Sequence, residues 1–196
     1  MKMQRSVLRM NTSEARRLKR ELGVTGGMIG RGCTTAVYAW SEDKVLKLTN
    51  DMCHYDYAVN AAPESRFAVN VFENLGYIGQ IGNQEIRGYV SERLYPVSGS
   101  NSQFVRGLCE EFEEAWQTTY SDSLVSCRRT RDNERCVEAL RKLMKRRFLR
   151  PVYDVLQNLE TFLLNWDCAV LDFHDANFME RTDGSLVFND PVVVAI

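Results

Sequence analysis

Residues 171–196 read LDFHDANFMERTDGSLVFNDPVVVAI, and this stretch decides how the rest of the chain is read. It carries an Asp-x-His-x-x-Asn run made of Asp172, His174 and Asn177. Thirteen residues after Asn177, past the apolar run Leu186-Val187-Phe188, stands Asp190. One carboxylate placed to take or orient a proton suits general-base work. An amide oxygen and a second carboxylate supply the hard oxygen donors that a divalent cation such as Mg²⁺ prefers. Asp172, Asn177 and Asp190 thus form one group, a carboxylate, an amide and a carboxylate at spacings of five and thirteen residues.

Composition narrows the classes. The chain has 196 residues with a hydrophobic fraction of 44%, enough for a sizeable core in one domain or two small lobes around a cleft. A net charge of −1 lacks the basic balance of a protein that grips nucleic acid through phosphates, so no direct nucleic-acid binding is expected. No apolar run approaches the ~18 residues of a membrane span, and the N-terminal stretch has no apolar signal core. The expectation is a cytoplasmic protein with no membrane partner. Six cysteines, at 33, 53, 109, 127, 136 and 168, contain no C-x-x-C pair and accompany only two histidines. They read as reduced thiols rather than a zinc site or a disulfide framework.

Working back from the opening stretch, the first hundred residues supply what a nucleotide would need. Residues 12–22 form a short amphipathic helix with Thr12 or Ser13 as cap and Leu18 and Leu22 on one face. Residues 27–49, GMIGRGCTTAVYAWSEDKVLKLT, read as a β-hairpin that opens on Gly30 and Gly32. Glycines there let backbone N–H groups approach phosphate oxygens without Cβ interference. Val37 lies seven residues after Gly30, and Lys47 interrupts an apolar strand, a costly place for an ammonium unless an anion meets it. A helix over 52–62 ends near Pro63, and strands follow over 67–72, 77–81 and 85–94.

After residues 92–98 the pattern turns helical. An acidic helix covers 103–119, a polar loop 121–133, a basic helix 134–148 and an apolar helix 151–165 opened by Pro151. The basic cluster Arg141, Lys142, Lys145, Arg146 and Arg147 reads as a solvated face, with docking of an acidic protein as the rarer use.

In order, then, come a Gly-rich hairpin, an in-strand lysine, a short helix, strands, helices and the Asp…Asn…Asp segment. This layout resembles the protein kinase fold across roughly residues 26–196. Within it, IGRGCTTAVYAWSEDKVLKL and the Asp-x-His-x-x-Asn loop leading to Asn-Asp-Pro-Val resemble the early serine/threonine protein kinases of T-seven-like podophages (autographiviruses). The resemblance implies an α+β, bilobal protein kinase-like fold. Residues 1–25 would be a helical extension, 26–95 an antiparallel β-rich N-lobe, and 96–196 a reduced helical C-lobe.

It also implies ATP and Mg²⁺ as cofactors and host cytoplasmic proteins as substrates. Gly30, Gly32, Val37 and Lys47 would cover or hold the nucleotide, and Glu92 and Leu94 would meet it at the hinge. Asp172 would serve the acceptor hydroxyl, with His174 beside the transferring phosphate and Lys47 completing the catalytic set. Asn177 and Asp190 would hold the metal. In kinases an acidic residue of the short helix pairs with the strand lysine; here Asp56 is short and Glu64 follows Pro63, so the resemblance assigns Lys47 no definite partner. The chain departs from the kinase pattern at Thr35, in place of the third glycine, at Val170-Leu171, in place of His-Arg, and at Pro191-Val192, in place of Phe-Gly. Two alternatives stay open: a kinase-like phosphotransferase acting on a small molecule, and a catalytically dead kinase fold that binds and inhibits a host protein.

Overall fold

A computed structural model describes residue 8 and residues 13–62, 65–119 and 128–195. The fold is α+β, with an antiparallel sheet first and helices after it. Strands β1 (Met28–Arg31), β2 (Thr35–Ala39), β3 (Lys44–Thr49), β4 (Val71–Ile81) and β5 (Gln84–Glu92) form one sheet in the order β1-β2-β3-β5-β4.

The period-2 alternation of β3 decides what each face of the sheet is for. Leu46 and Leu48 turn to one face, where they pack with Ala36, Tyr38 and Ile86 against Ala15 and Leu18 of helix α1 (Ser13–Glu21). The backbone of β4 comes so close to α1 that a Cβ on Gly79 would lie 2.7 Å from Leu18. Lys47 turns to the opposite face, in register with Val37 on β2 and Tyr89 on β5. That face is closed by helix α2 (Met52–Asp56) and the π turn Tyr57–Ala61.

Helices α3 (Gly99–Gln117), α4 (Arg128–Leu143) and α5 (Tyr153–Asn165) bury Leu108, Leu140, Leu143, Leu156, Leu159 and Leu163 in a second core. One side chain ties this core to the functional segment. The Asn133 amide donates to the carbonyls of Leu163, Trp166 and Ala169 at 3.0, 2.9 and 2.7 Å. Those carbonyls end α5 and begin β7 (Ala169–Leu171), so α4 sets where the strand starts. The short strands β6 (Tyr95–Pro96), β8 (Phe178–Glu180) and β9 (Leu186–Phe188) form a second sheet, and β10 (Val192–Val194) pairs with β7.

Arg181 is one of the side chains that join the two regions. It grips both carboxylate oxygens of Glu92 at 2.8 Å and donates to the carbonyls of Arg66 at 2.9 Å and Ala68 at 2.7 Å.

Several boundaries differ from those read in the sequence. The strands expected over 67–72 and 77–81 are one strand, β4, which begins at Val71 and carries three register shifts against β5. The apolar residues before it pack instead on β9, with Ala68 bridging Phe188. Helix α4 starts at Arg128, inside the stretch read as a loop. Within it Asn133 is buried and ties the helix to α5 and β7. Pro151 sits in a 3-10 turn over Arg147–Val152, before α5 begins. Two of the basic residues are paired, Arg146 with Glu111 of α3 at 2.9 Å and Arg141 with Glu160 of α5 at 2.6 Å. Thr12, Glu64 and Cys127 lie outside the described residues. Among the described residues no helix is long and apolar enough to cross a membrane.

Burial leaves a pH signature. It pushes the phenols of Tyr38, Tyr57 and Tyr89 up, together with the thiols of Cys53, Cys109 and Cys136, the last two to about 12. An acid raised in the fold contributes stability that is complete below its unfolded value, about 8.5 for Cys and 10 for Tyr. That contribution is lost as pH climbs toward the folded value. Lys47, pushed down by burial to about 8, acts with the opposite sign above that pH. Six groups against one make the net effect destabilising. The melting temperature under reducing conditions is expected to fall between pH 8 and pH 10.5. A flat or rising profile would contradict the buried, protonated state of these groups.

Candidate active site

The spacings of five and thirteen residues have a geometric cause. From β7 the chain reaches Asp172, whose N–H donates to Pro191 O at 2.9 Å. A 3-10 turn over Asp175–Asn177 then doubles back, and Asn177 Nδ2 donates to the carbonyl of Asp172 at 2.7 Å. Five residues is the reach of that return. Next, β8 and β9 form a hairpin in which Phe178 faces Phe188. The residues just outside that pair are Asn177 and Asn189-Asp190. The Asn177 carbonyl accepts from the N–H of Asn189 at 2.9 Å and of Asp190 at 3.3 Å. Thirteen residues is the length of hairpin that brings Asp190 back beside Asn177.

The sheet supplies the other wall. Lys47 is 4% exposed, so its ammonium is almost wholly desolvated. Its Nζ donates to Asn189 Oδ1 at 2.5 Å and lies 5.7 Å from the centre of the Tyr89 ring. Burial pushes its pKa down to about 8, against the pull of the Asp190 and Glu92 carboxylates, which favour the cation.

Between the walls lies a cavity of about 560 Å³. Gly32, Val37 and Lys47 line it from the sheet, and Asp172, His174, Asn177 and Asp190 line it from the other side. These seven residues were marked in the sequence from segments far apart, and the fold brings them to one space. His174 Nε2 stands 3.6 Å from Asp172 Oδ2. The Asp190 carboxyl is held below the usual carboxylate range. Burial works against this, but the charge and hydrogen bond of His54, then the charges of Lys47 and His174, outweigh it.

Other marked residues fall elsewhere. Gly30 pairs with Val37 inside β1, and a Cβ there would meet Val37 only at 3.5 Å, an ordinary contact. It does not line the cavity. Gly32 lines it, but its N–H donates to Thr35 O at 2.8 Å, so the turn itself uses the group expected to face phosphate. Cys33 and Thr34 at the tip line the cavity in addition.

Glu92 and Leu94 stand apart from the cavity. The Glu92 carboxylate is taken by Arg181, and its N–H donates to Asn70 O at 3.0 Å. Leu94 packs with the cluster of Tyr55, Tyr89 and Val187. Asp56 does not pair with Lys47; its carboxylate accepts from Asn60 at 2.6 Å.

Three residues of the site escaped the sequence reading. Asn189 holds Lys47. His54, from α2, meets Asp190 through Nδ1. Asp51 caps α2 by accepting from the His54 N–H at 3.0 Å, and its other oxygen accepts from the Val194 N–H at 3.2 Å. The one signal for His54 was its place, a histidine in a short apolar helix just after the strand lysine.

The donor chemistry fits Mg²⁺. Asp190 and Asn177 offer one carboxylate and one amide oxygen to the same cavity. Among the described residues no group of three or more His, Cys, Asp and Glu is arranged to hold a metal. Few protein donors suit an ion that keeps several waters and takes phosphate oxygens as ligands.

No family model matches the chain, and no curated protein does. Among solved structures it is similar to a streptomycin–ATP–APH(2″)-IIa ternary complex. The identity is 12%, over 96% of this chain and 73% of that one, with a TM-score of 0.35.

Proposed function

We propose that the chain is an ATP- and Mg²⁺-dependent phosphotransferase that moves the γ-phosphoryl group of ATP to serine or threonine hydroxyls of proteins. Its setting would be the cytoplasm of a bacterial host early in phage infection. The observation that carries the transferase reading is the convergence of Lys47, Asp172, Asn177 and Asp190 on one cavity, with Asn177 bonded to the backbone of Asp172. The protein acceptor and the phage setting are supported by the motif resemblance.

Phosphoryl transfer passes through a loose transition state, so positioning and charge neutralisation supply most of the catalysis. Asp172 orients the acceptor hydroxyl and takes its proton as that oxygen bonds to phosphorus and the bond to the β–γ bridging oxygen breaks. Lys47 supplies a desolvated positive charge for the phosphates and exchanges its Asn189 contact for them. Asn177 and Asp190 would hold Mg²⁺, which when bound neutralises charge on the β- and γ-phosphates. His174 lines the same cavity beside Asp172 and is more exposed than it, which suits contact with an acceptor. The same histidine favours a second reading, transfer to a small molecule, because it can meet the transferring phosphate.

The test is incubation with radiolabelled ATP, Mg²⁺ and bacterial lysate, beside Asp172→Ala. Labelled protein is expected, with a loss on the order of 10²–10⁴-fold in the variant. Label confined to small metabolites would move the assignment to the second reading. No label, with stable capture of a host protein by both chains, would leave a non-catalytic binder.

A further inference from the structure

The buried chain Tyr89–His54–Asp190 is the part of the site that the chemistry above does not use. His54 is 2% exposed and Tyr89 is fully buried. Both elements that carry them are held by contacts of their own. Helix α2 is capped by Asp51, and Asp51 is tied to β10 just beyond the catalytic hairpin. Tyr89 lies directly opposite Lys47 in the β3–β5 ladder. The imidazole is therefore gripped from two sides, with Nε2 2.8 Å from the Tyr89 oxygen and Nδ1 against Oδ1 of Asp190.

The hydrogen-bonding capacities leave one arrangement. An ionised carboxylate can only accept, so the ring nitrogen facing Asp190 carries its proton there. A phenol both donates and accepts, so Tyr89 satisfies Nε2 in either charge state of the ring. Burial, reinforced by the Asp190 charge, holds the Tyr89 phenol well above its ordinary value, so it remains a hydroxyl. A histidine held at both nitrogens this deep in the protein has one orientation available, and Asp190 inherits it.

Lys47 shows the same division of labour. It takes the neighbouring Asn189, not an acid of α2. The strand thus holds one residue of the hairpin end and the helix holds the next.

We propose that His54, braced by Tyr89, is a positioning residue for the metal site: it occupies one oxygen of Asp190 and leaves the other as the donor beside Asn177. The histidine thereby takes the place that kinases give to an acidic partner of the strand lysine. The inference rests on the phosphotransferase reading and deepens it.

The test measures metal binding apart from turnover. Mn²⁺ serves as probe, its free concentration followed by electron paramagnetic resonance with the full chain and a non-hydrolysable ATP analogue. Outer partners of metal ligands typically contribute roughly 10- to 100-fold in affinity, and His54→Ala is expected to weaken Mn²⁺ by that much. His54→Asn, which returns an N–H donor near the position of Nδ1, is expected to recover much of the loss. Tyr89→Phe is expected to weaken Mn²⁺ less than His54→Ala does. Binding of the analogue in EDTA is expected to stay within about twofold in all three, because Lys47 and Asn189 are untouched.

If His54→Ala fails to fold, His54→Asn and Tyr89→Phe carry the comparison. Mn²⁺ binding as in the wild-type chain by His54→Ala, or by Tyr89→Phe where His54→Ala does not fold, would overturn the proposal, as would equal weakening of the analogue without metal. A wild-type chain with His54-dependent Mn²⁺ binding but no phosphoryl transfer would retire the activity and keep the positioning role. A wild-type chain that binds no Mn²⁺ with nucleotide would overturn both.

Discussion

An Asp190→Asn chain is expected to fold and to transfer phosphate on the order of 10³-fold more slowly than the wild-type chain. The substitution keeps the shape and leaves an oxygen for His54, but removes the anion. Two losses follow. The metal site keeps only neutral oxygens, so the Mg²⁺ concentration for half-maximal rate should rise. Lys47 loses the carboxylate that chiefly opposes the effect of its burial, so less of it is charged near pH 8. Initial rates across a Mg²⁺ series, with a melting curve to verify folding, check this. A rate within tenfold of wild type at ordinary Mg²⁺ would remove Asp190 from the catalytic machinery.

The largest effect on stability is expected from Arg181→Met, a loss of about 3–5 kcal/mol. Arg181 and Glu92 are 18% and 12% exposed, so the pair is mostly shielded from solvent. Removing the guanidinium strips both oxygens of Glu92 of their cationic donors and leaves the carbonyls of Arg66 and Ala68 without theirs. Among the described residues the Asn70 N–H, at 2.8 Å, is the donor that still answers the carboxylate. For a chain of this size the loss corresponds to a fall of roughly 10 °C in melting temperature. The double variant Glu92→Gln/Arg181→Met should lie above the single one, because no buried charge is then stranded. Calorimetry of the single and double variants decides it. A single-variant loss under about 1 kcal/mol would mean that the clasp adds little beyond a surface pair.

Both predictions turn on the difference between patterns along the chain and pairings across it. The Gly-rich hairpin, the alternation that isolates Lys47, and the Asp172, Asn177 and Asp190 spacings were all legible. Each expresses local geometry: a strand period of two, the reach of a short turn, the length of a hairpin. The long strand β4 was not legible, because its bulges break the alternation that marks a strand and scatter its apolar residues over both faces. Nor was the start of α4, since residues 128–133 carry no apolar residue to mark a helical period.

Glu92 shows the limit inside the site. Its position at the end of β5 suits a hinge contact, yet its carboxylate serves a fold clasp with Arg181, from the β8–β9 turn.

By itself, then, the sequence determined the α+β class, the in-strand Lys47 and the spacing of Asp172, Asn177 and Asp190. Those features depend on neighbours within a turn or a hairpin, and such neighbours recur at fixed spacing. Only the tertiary structure decided the partners of the buried charges: His54 on Asp190, Asn189 on Lys47, Arg181 on Glu92. A buried polar group must be satisfied by whatever donor or acceptor packing brings to it. Those partners came from segments with no spacing relation to the groups they meet, so they became legible only once the chain had folded.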